Sequence, residues 1–211
     1  MKIQISFDLN NLETSLEIAR KVKDYCDIME VGTILIHKYG VQAVKEFTKN
    51  FPDKVILADT KIVDRGQDIT EIYLNTGVKW ITVMAGTNND VIHRVCSEAQ
   101  KNGILVMLDT LDSVMPGQVA LDAKNLGVDA ILLHKAHDAN QNDSLLFLDE
   151  LDLLKGNSDL PIFIAACVHR ENIKKVIAAK PYGVIIGRAI TTAQDPVAEA
   201  EFYYNLCKTG K

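Results

Sequence analysis

Short apolar runs rich in β-branched residues alternate along this chain with longer segments in which apolar positions recur every three or four residues. The first pattern predicts strands buried on both faces, the second predicts amphipathic helices, and their alternation marks βαβ units around a parallel sheet. Strands are expected at IQISFD (3–8), DIMEV (27–31), KVILAD (54–59), WITVM (80–84), ILVMLD (104–109), AILLH (130–134), IFIAA (162–166) and GVIIG (183–187). Helices are expected over 11–25, 39–51, 66–77, 88–103, 115–127, 143–156, 170–180 and 195–208. Three of them run into a glycine that leads at once into the next strand, in NTGVKWITV, KNGILVML and NLGVDAILL. Glycine accepts the left-handed conformation that ends a helix, so one loop device serves several joints.

Eight strand-helix pairs, with no Pro/Gly/Ser-rich linker, charge block or low-complexity stretch between them, predict a single (β/α)8 TIM barrel domain over residues 1–211. The rival is an open doubly wound sheet, which would carry G-x-G-x-x-G after its first strand, and SFDLNNLETS holds no glycine. With 211 residues, 47% of them hydrophobic, the chain can bury a sizeable core. A net charge of -5 and a pI near 5.5 leave no basic field, so no nucleic acid is expected as a partner. The opening residues MKIQISFDLN carry one Lys and then alternate, which fits neither a signal peptide nor a membrane span; a cytoplasmic protein without a membrane partner is expected. Cys26, Cys96, Cys167 and Cys207 form no C-x-x-C pair and are expected as free, mostly buried thiols.

In a barrel of this kind the chemistry gathers at the C-terminal ends of the strands. Asp8, Glu30, Asp59, Lys61, Asp109, His134, Gly187 and Arg188 all stand at predicted strand ends. The stretch ILADTKIVDRG places Asp59, Lys61 and Asp64 directly after an apolar run, and ions beside a core are costly unless they pair or bind something. Alternation along a strand puts Asp59 and Lys61 on one face, with Asp64 a loop further out. A lone D-x-K-x-x-D also suits a solvated surface, but its position after VILA, with Asp8 and Glu30 at neighbouring strand ends, favours a site. Acids and a lysine that converge neutralise one another and can hold a divalent cation.

ADTKIVD, preceded by MEVGT and SFD, resembles the orotidine 5'-phosphate decarboxylase superfamily, and within it the branch of 3-keto-L-gulonate 6-phosphate decarboxylase and 3-hexulose-6-phosphate synthase. The likeness runs from IQISFD to IIGRAITTAQDP. Orotidylate enzymes carry Lys at the position of Glu30 and follow the second Asp with Ile-Pro, whereas Glu30 and Asp64-Arg65-Gly66 fit the metal-dependent branch. The resemblance implies Glu30 and Asp59 as Mg²⁺ ligands, and Asp8 and Lys61 as contacts to substrate hydroxyl and enolate oxygens. It implies that Asp64 reaches across a homodimer interface, so that active sites are shared. It assigns proton transfer to His134 and phosphate binding to Gly187 and Arg188; LLHKAHDAN also offers His137, where the decarboxylase carries Arg and the synthase usually no base.

Cys167 falls in the loop after strand seven, where the family has a Gly pair, and His169 and Arg170 just beyond offer compensating charge. Met107 stands where both named enzymes have an acid, so Asp109 replaces that acid only if it lies at the right depth. The expected substrate is a phosphorylated ketose or keto-acid sugar. Loss of CO₂ from a β-keto acid, or of a proton from a ketose phosphate before aldol addition, leaves a cis-enediolate that needs fixed positive partners. The first reading is a carboxy-lyase, the alternative an aldehyde-lyase joining formaldehyde to ribulose 5-phosphate. A third is a barrel that binds a metabolite without catalysis.

Overall fold

In the computed structural model, which describes residues 1–111, 113–136, 146–165 and 167–210, the strands pair side by side in chain order. They are β1 (Lys2–Phe7), β2 (Ile28–Val31), β3 (Val55–Ile62), β4 (Trp80–Met84), β5 (Leu105–Asp109), β6 (Ala130–His134), β7 (Ile162–Ala165) and β8 (Gly183–Ile186). Every pair is parallel, and β8 returns to β1 through Ile5 opposite Ile186, which closes the barrel. The expected (β/α)8 architecture is therefore the observed one.

The helices are α1 (Leu12–Val22), α2 (Thr33–Tyr39), α3 (Val41–Asn50), α4 (Gly66–Tyr73), α5 (Asn89–Lys101), α6 (Pro116–Leu126), α7 (Leu146–Asn157), α8 (Ile173–Ala178), α9 (Arg188–Thr191) and α10 (Pro196–Thr209). Local chemistry explains their ends. The Asn11 side chain accepts from Thr14 N–H (2.9 Å), and Asp195 accepts from Val197 and Ala198 N–H (3.1 Å each) with Pro196 opening α10. Gly77, Gly103 and Gly127, the glycines of the repeated αβ joint, take φ of 80°, 67° and 90° as that device requires. Two elements differ from expectation. The helix expected over 39–51 is α3 alone, divided at Gly40 from an additional α2, and α9 is a further short helix after β8.

Alternation along the strands builds two separate apolar layers. Ile3, Ile5 and Phe7 of β1, Ile81 and Val83 of β4, and Ile131 and Leu133 of β6 pack outward with the helices. Ile28, Leu57, Met107, Ala130, Leu132, Phe163 and Ile185, with Trp80 beside them, plug the inside of the barrel. A Cβ on Gly183 would lie 2.5 Å from the Phe163 ring, so the missing side chain on β8 is what admits the large one on β7. Toward the C-terminal ends the inward rows turn polar, with Ser6, Glu30, Asp59, Thr82 and Asp109 all buried. Cys26, Cys96 and Cys207 are buried free thiols, pushed up to about 12, 12 and 11 by burial, and Cys167 is free and half-buried. No described helix is long and apolar enough to cross a membrane.

Candidate active site

Ser6 on β1 lies opposite Glu30 on β2, and this register brings a hydroxyl to a buried acid. Glu30 accepts from Ser6 Oγ at 2.6 Å through one oxygen and from Gln4 Nε2 at 2.5 Å through the other. Burial first, then the charge of Asp59, pushes the Glu30 carboxyl up to about 7 despite these two donors. At the end of β1, Asp8 Oδ1 accepts the backbone N–H of Ile34 (2.7 Å) in the first turn of α2. A Cβ on Gly32 would stand 2.4 Å from that oxygen, so the glycine of MEVGT clears the space Asp8 occupies. Burial also raises Asp8, with the Ile34 N–H opposing it and Asp59 adding to the rise.

The β3–β4 ladder breaks where the chemistry begins. Ala58 pairs with Ile81, but the next partners are Ile62 and Val83, so four residues of β3 advance against two of β4. Simple alternation is interrupted here, yet Lys61 still meets Asp59 as that alternation predicts. The lysine sits in a bulge with φ 43°, in the left-handed region. Lys61 Nζ reaches Asp109 Oδ2 at 2.7 Å and Asp59 Oδ2 at 3.1 Å. Burial alone would lower the lysine, but Asp59 and Asp109 outweigh it and hold its pKa above the ordinary value.

Two threonines grip Asp59, Thr33 Oγ1 at 2.5 Å on Oδ2 and Thr82 Oγ1 at 2.9 Å on Oδ1. Asp109, fully buried, places Oδ1 and Oδ2 at 3.0 and 2.9 Å from His134 Nδ1 and accepts from Leu111 N–H at 2.9 Å. Burial would raise its carboxyl, but His134 and Lys61 outweigh that and hold it below the usual carboxylate range. Asp109 therefore lies one layer above the position of Met107 rather than at its depth. Met107 stays in the inner apolar plug, and the acid two residues on occupies the next layer.

The chain gathers Asp8, Glu30, Asp59, Lys61, Asp109 and His134, and leaves other expected residues apart. Asp64 is exposed and accepts from the N–H of its neighbour Arg65 at 2.7 Å. Arg188 is exposed at the start of α9, after Gly187, and its charge is felt at Asp8. Cys167 holds φ 45°, a left-handed backbone at the position where the family has glycine, and its carbonyl accepts from Asn172 Nδ2 (3.1 Å). Arg170 does not supply charge to this loop. It is bound to Glu199 through Nη2 (2.9 Å) and Nε (3.0 Å) and stacks 3.8 Å over Phe202. His169 is half-buried, His37 and His93 are exposed, and His137 and Ala166 lie outside the described residues.

Gln4, Ser6, Thr33 and Thr82 were not among the expected site residues. A signal for the first two existed: in IQISFD the apolar positions 3, 5 and 7 face the helices, so the polar positions 4, 6 and 8 must face the barrel interior. Thr33 closes the MEVGT motif without a role that its spacing predicts, and Thr82 is one hydroxyl in an apolar strand. Among the described residues no three or more His, Cys, Asp or Glu form a ready metal cage. Asp59 is a hard oxygen donor whose charge bears on both Glu30 and Asp8.

A closed parallel barrel with an acid-lysine-histidine chain at its strand ends has the layout of a (β/α)8 enzyme. The family model for the orotidine 5'-phosphate decarboxylase / HUMPS family matches residues 1–203, and the chain belongs to this family of carbon-carbon lyases. It is 31% identical over 202 residues to the 3-hexulose-6-phosphate synthase of Staphylococcus aureus (strain USA300), covering 95% of this chain and 96% of that protein. The solved structure of 3-hexulose-6-phosphate synthase from Salmonella typhimurium aligns with a TM-score of 0.92 at 28% identity, over 98% of both chains. That of 3-keto-L-gulonate-6-phosphate decarboxylase from Vibrio cholerae O1 biovar El Tor aligns with a TM-score of 0.80 at 26% identity, over 97% of both.

Proposed function

We propose that the protein is a sugar-phosphate lyase acting through a cis-enediolate, and specifically an aldehyde-lyase of the 3-hexulose-6-phosphate synthase type that joins formaldehyde to ribulose 5-phosphate. The observation that carries this reading is the contact of Asp109 with His134 Nδ1, beside Lys61. Forming an enediolate from a ketose phosphate requires a base that takes a proton from carbon, whereas loss of CO₂ requires none at that stage. A carboxylate on Nδ1 makes that nitrogen the protonated one and leaves Nε2 to accept. His134 takes the C1 proton, and the electron pair left on the substrate delocalises onto the C2 oxygen. C1 then bonds to the formaldehyde carbon, and the new alkoxide recovers the proton from His134. Lys61 provides fixed positive charge for the developing oxyanion. Asp8 accepts from substrate hydroxyls, and Gly187, Arg188 and the Cys167 loop face the phosphate end.

Glu30 and Asp59 would hold Mg²⁺. Both are hard oxygen donors, two carboxylates leave the rest of the shell to water and substrate oxygens, and the burial and Asp59 charge that raise Glu30 are what a divalent cation offsets. When bound, the ion supplies positive charge to enediolate oxygens. Asp64 is exposed and turned to its own backbone in the protomer, which supports its acting in the partner's site of a homodimer. The carboxy-lyase acting on 3-keto-L-gulonate 6-phosphate, first in the sequence analysis, is supported by Arg188 in IIGRAIT and by the likeness to the Vibrio decarboxylase.

One assay separates the readings: the purified protein with Mg²⁺ and each sugar phosphate, following formaldehyde consumption and CO₂ release, with and without chelator. The aldol reading expects formaldehyde consumption that needs ribulose 5-phosphate and stops on chelation. CO₂ release from the keto acid would replace it with the decarboxylase, and silence on both substrates despite Mg²⁺ binding would leave a binding barrel. Sedimentation equilibrium tests the dimer.

A further inference from the structure

We infer that Thr82 is a positioning residue for Lys61, its hydroxyl standing in for the broken β3–β4 ladder and setting the ammonium between Asp59 and Asp109. The register jump from Ala58 to Ile62 removes the ordinary strand pairing from Thr60 and Lys61, which are half-buried, so their polar groups need partners. Side chains provide them. Thr60 Oγ1 donates to Thr82 O at 2.6 Å and accepts from Thr82 N–H at 3.2 Å. Thr82 Oγ1 accepts from Lys61 N–H at 2.9 Å and donates to Asp59 Oδ1 at 2.9 Å.

One hydroxyl has one proton and two lone pairs, so this assignment is self-consistent: Thr82 is the joint between the backbone of the lysine and the carboxylate of the acid. Lys61 needs such a joint, because a long-chain L-residue at φ 43° is in a disfavoured conformation that surrounding contacts must hold. Thr82 is 1% exposed, and its path to the chemistry described here is through Lys61 and Asp59. Valine, of the same shape, would leave the Lys61 N–H without an acceptor and Asp59 Oδ1 without a donor.

The catalytic consequence rests on the proposed lyase reading, whereas the positional claim does not, and the test keeps them apart. Thr82→Val and Thr82→Ser are compared with wild type by hydrogen exchange at the Lys61 amide, by kcat and KM for the sugar phosphate, and by thermal melting. In Thr82→Val the Lys61 amide is expected to exchange at least about tenfold faster, and kcat to fall about 10- to 100-fold with KM changed less than about threefold. Thr82→Ser, which keeps the hydroxyl, should restore both. Unchanged protection of the Lys61 amide in Thr82→Val, or kcat within about twofold of wild type, overturns the inference. Should Thr82→Val fail to fold, Thr82→Ala takes its place with the same readouts. If wild type turns over no sugar phosphate, the lyase reading fails and the amide exchange alone decides the role of Thr82.

Discussion

Replacing Lys61 by Met keeps an unbranched side chain, one atom shorter, and removes its charge. Nζ lies 2.7 Å from Asp109 and 3.1 Å from Asp59, so at an effective dielectric of about 20 each contact carries about 5–6 kcal/mol of gross attraction. Desolvation of the three ions cancels most of it, and removing one partner of a buried pair nets about 3–5 kcal/mol because the remaining charge is left uncompensated. The lysine side chain is 22% exposed, which sets the expectation at the lower end, about 3 kcal/mol. In a chain of this size that is a fall in Tm of about 6–12 °C.

The sign of the pH dependence follows from Asp109, whose carboxyl is held below its ordinary value. Stabilisation from a depressed carboxyl is fully present above the unfolded pKa of about 4 and is lost as pH falls through the lower folded value. The Met variant should therefore show its largest Tm deficit near about pH 7, begin to lose it below about pH 4, and converge on wild type only as pH falls through the lower folded value. Differential scanning fluorimetry across that range, in chelator, reads it directly. A deficit that is absent at neutral pH, or that widens on acidification, refutes the electrostatic account. Turnover of the same variant should fall about 10²- to 10³-fold, and retained turnover would remove Lys61 from the mechanism.

Mg²⁺ affinity should weaken as pH falls, because Glu30, pushed up to about 7, must release a proton to bind the ion. Titration calorimetry should show a loss of about tenfold per pH unit below about pH 7, and a pH-independent Kd would exclude Glu30 as a ligand. Gly183→Ala would drive a methyl into the Phe163 ring and cost about 1–3 kcal/mol by chemical denaturation. Adding Phe163→Leu should recover part of that loss, and full additivity of the two changes would contradict the contact. Arg170→Ala should leave KM for the sugar phosphate unchanged, since its guanidinium is committed to Glu199 and Phe202. A clear rise in KM would return Arg170 to the phosphate site.

The barrel was legible in the sequence because period-two and period-3.6 patterns are properties of neighbouring residues, and alternation of the two admits few topologies. So were Asp8, Glu30, Asp59 and His134, which lie at strand ends where this fold puts its chemistry. The additional α2 was hidden because its seven residues, Thr33–Tyr39, are too short to show a helical period of their own. The clamp of Gln4 and Ser6 on Glu30 was half legible, as a polar face whose direction only the enclosing helices decide.

What tertiary structure alone decided is the pairing of groups distant in the chain. Lys61 and Asp109 stand 48 positions apart, and their 2.7 Å contact depends on strand register, on the depth of Asp109 above Met107, and on the β3 bulge that carries Lys61. The sequence by itself determined which residues alternate and where strands end, since those follow from adjacent side chains and backbone preferences. Which acid meets the lysine, and which nitrogen of His134 meets the acid, are set by closure of the barrel, because distances between strands are fixed only when the ladder is complete and its irregularities are in place.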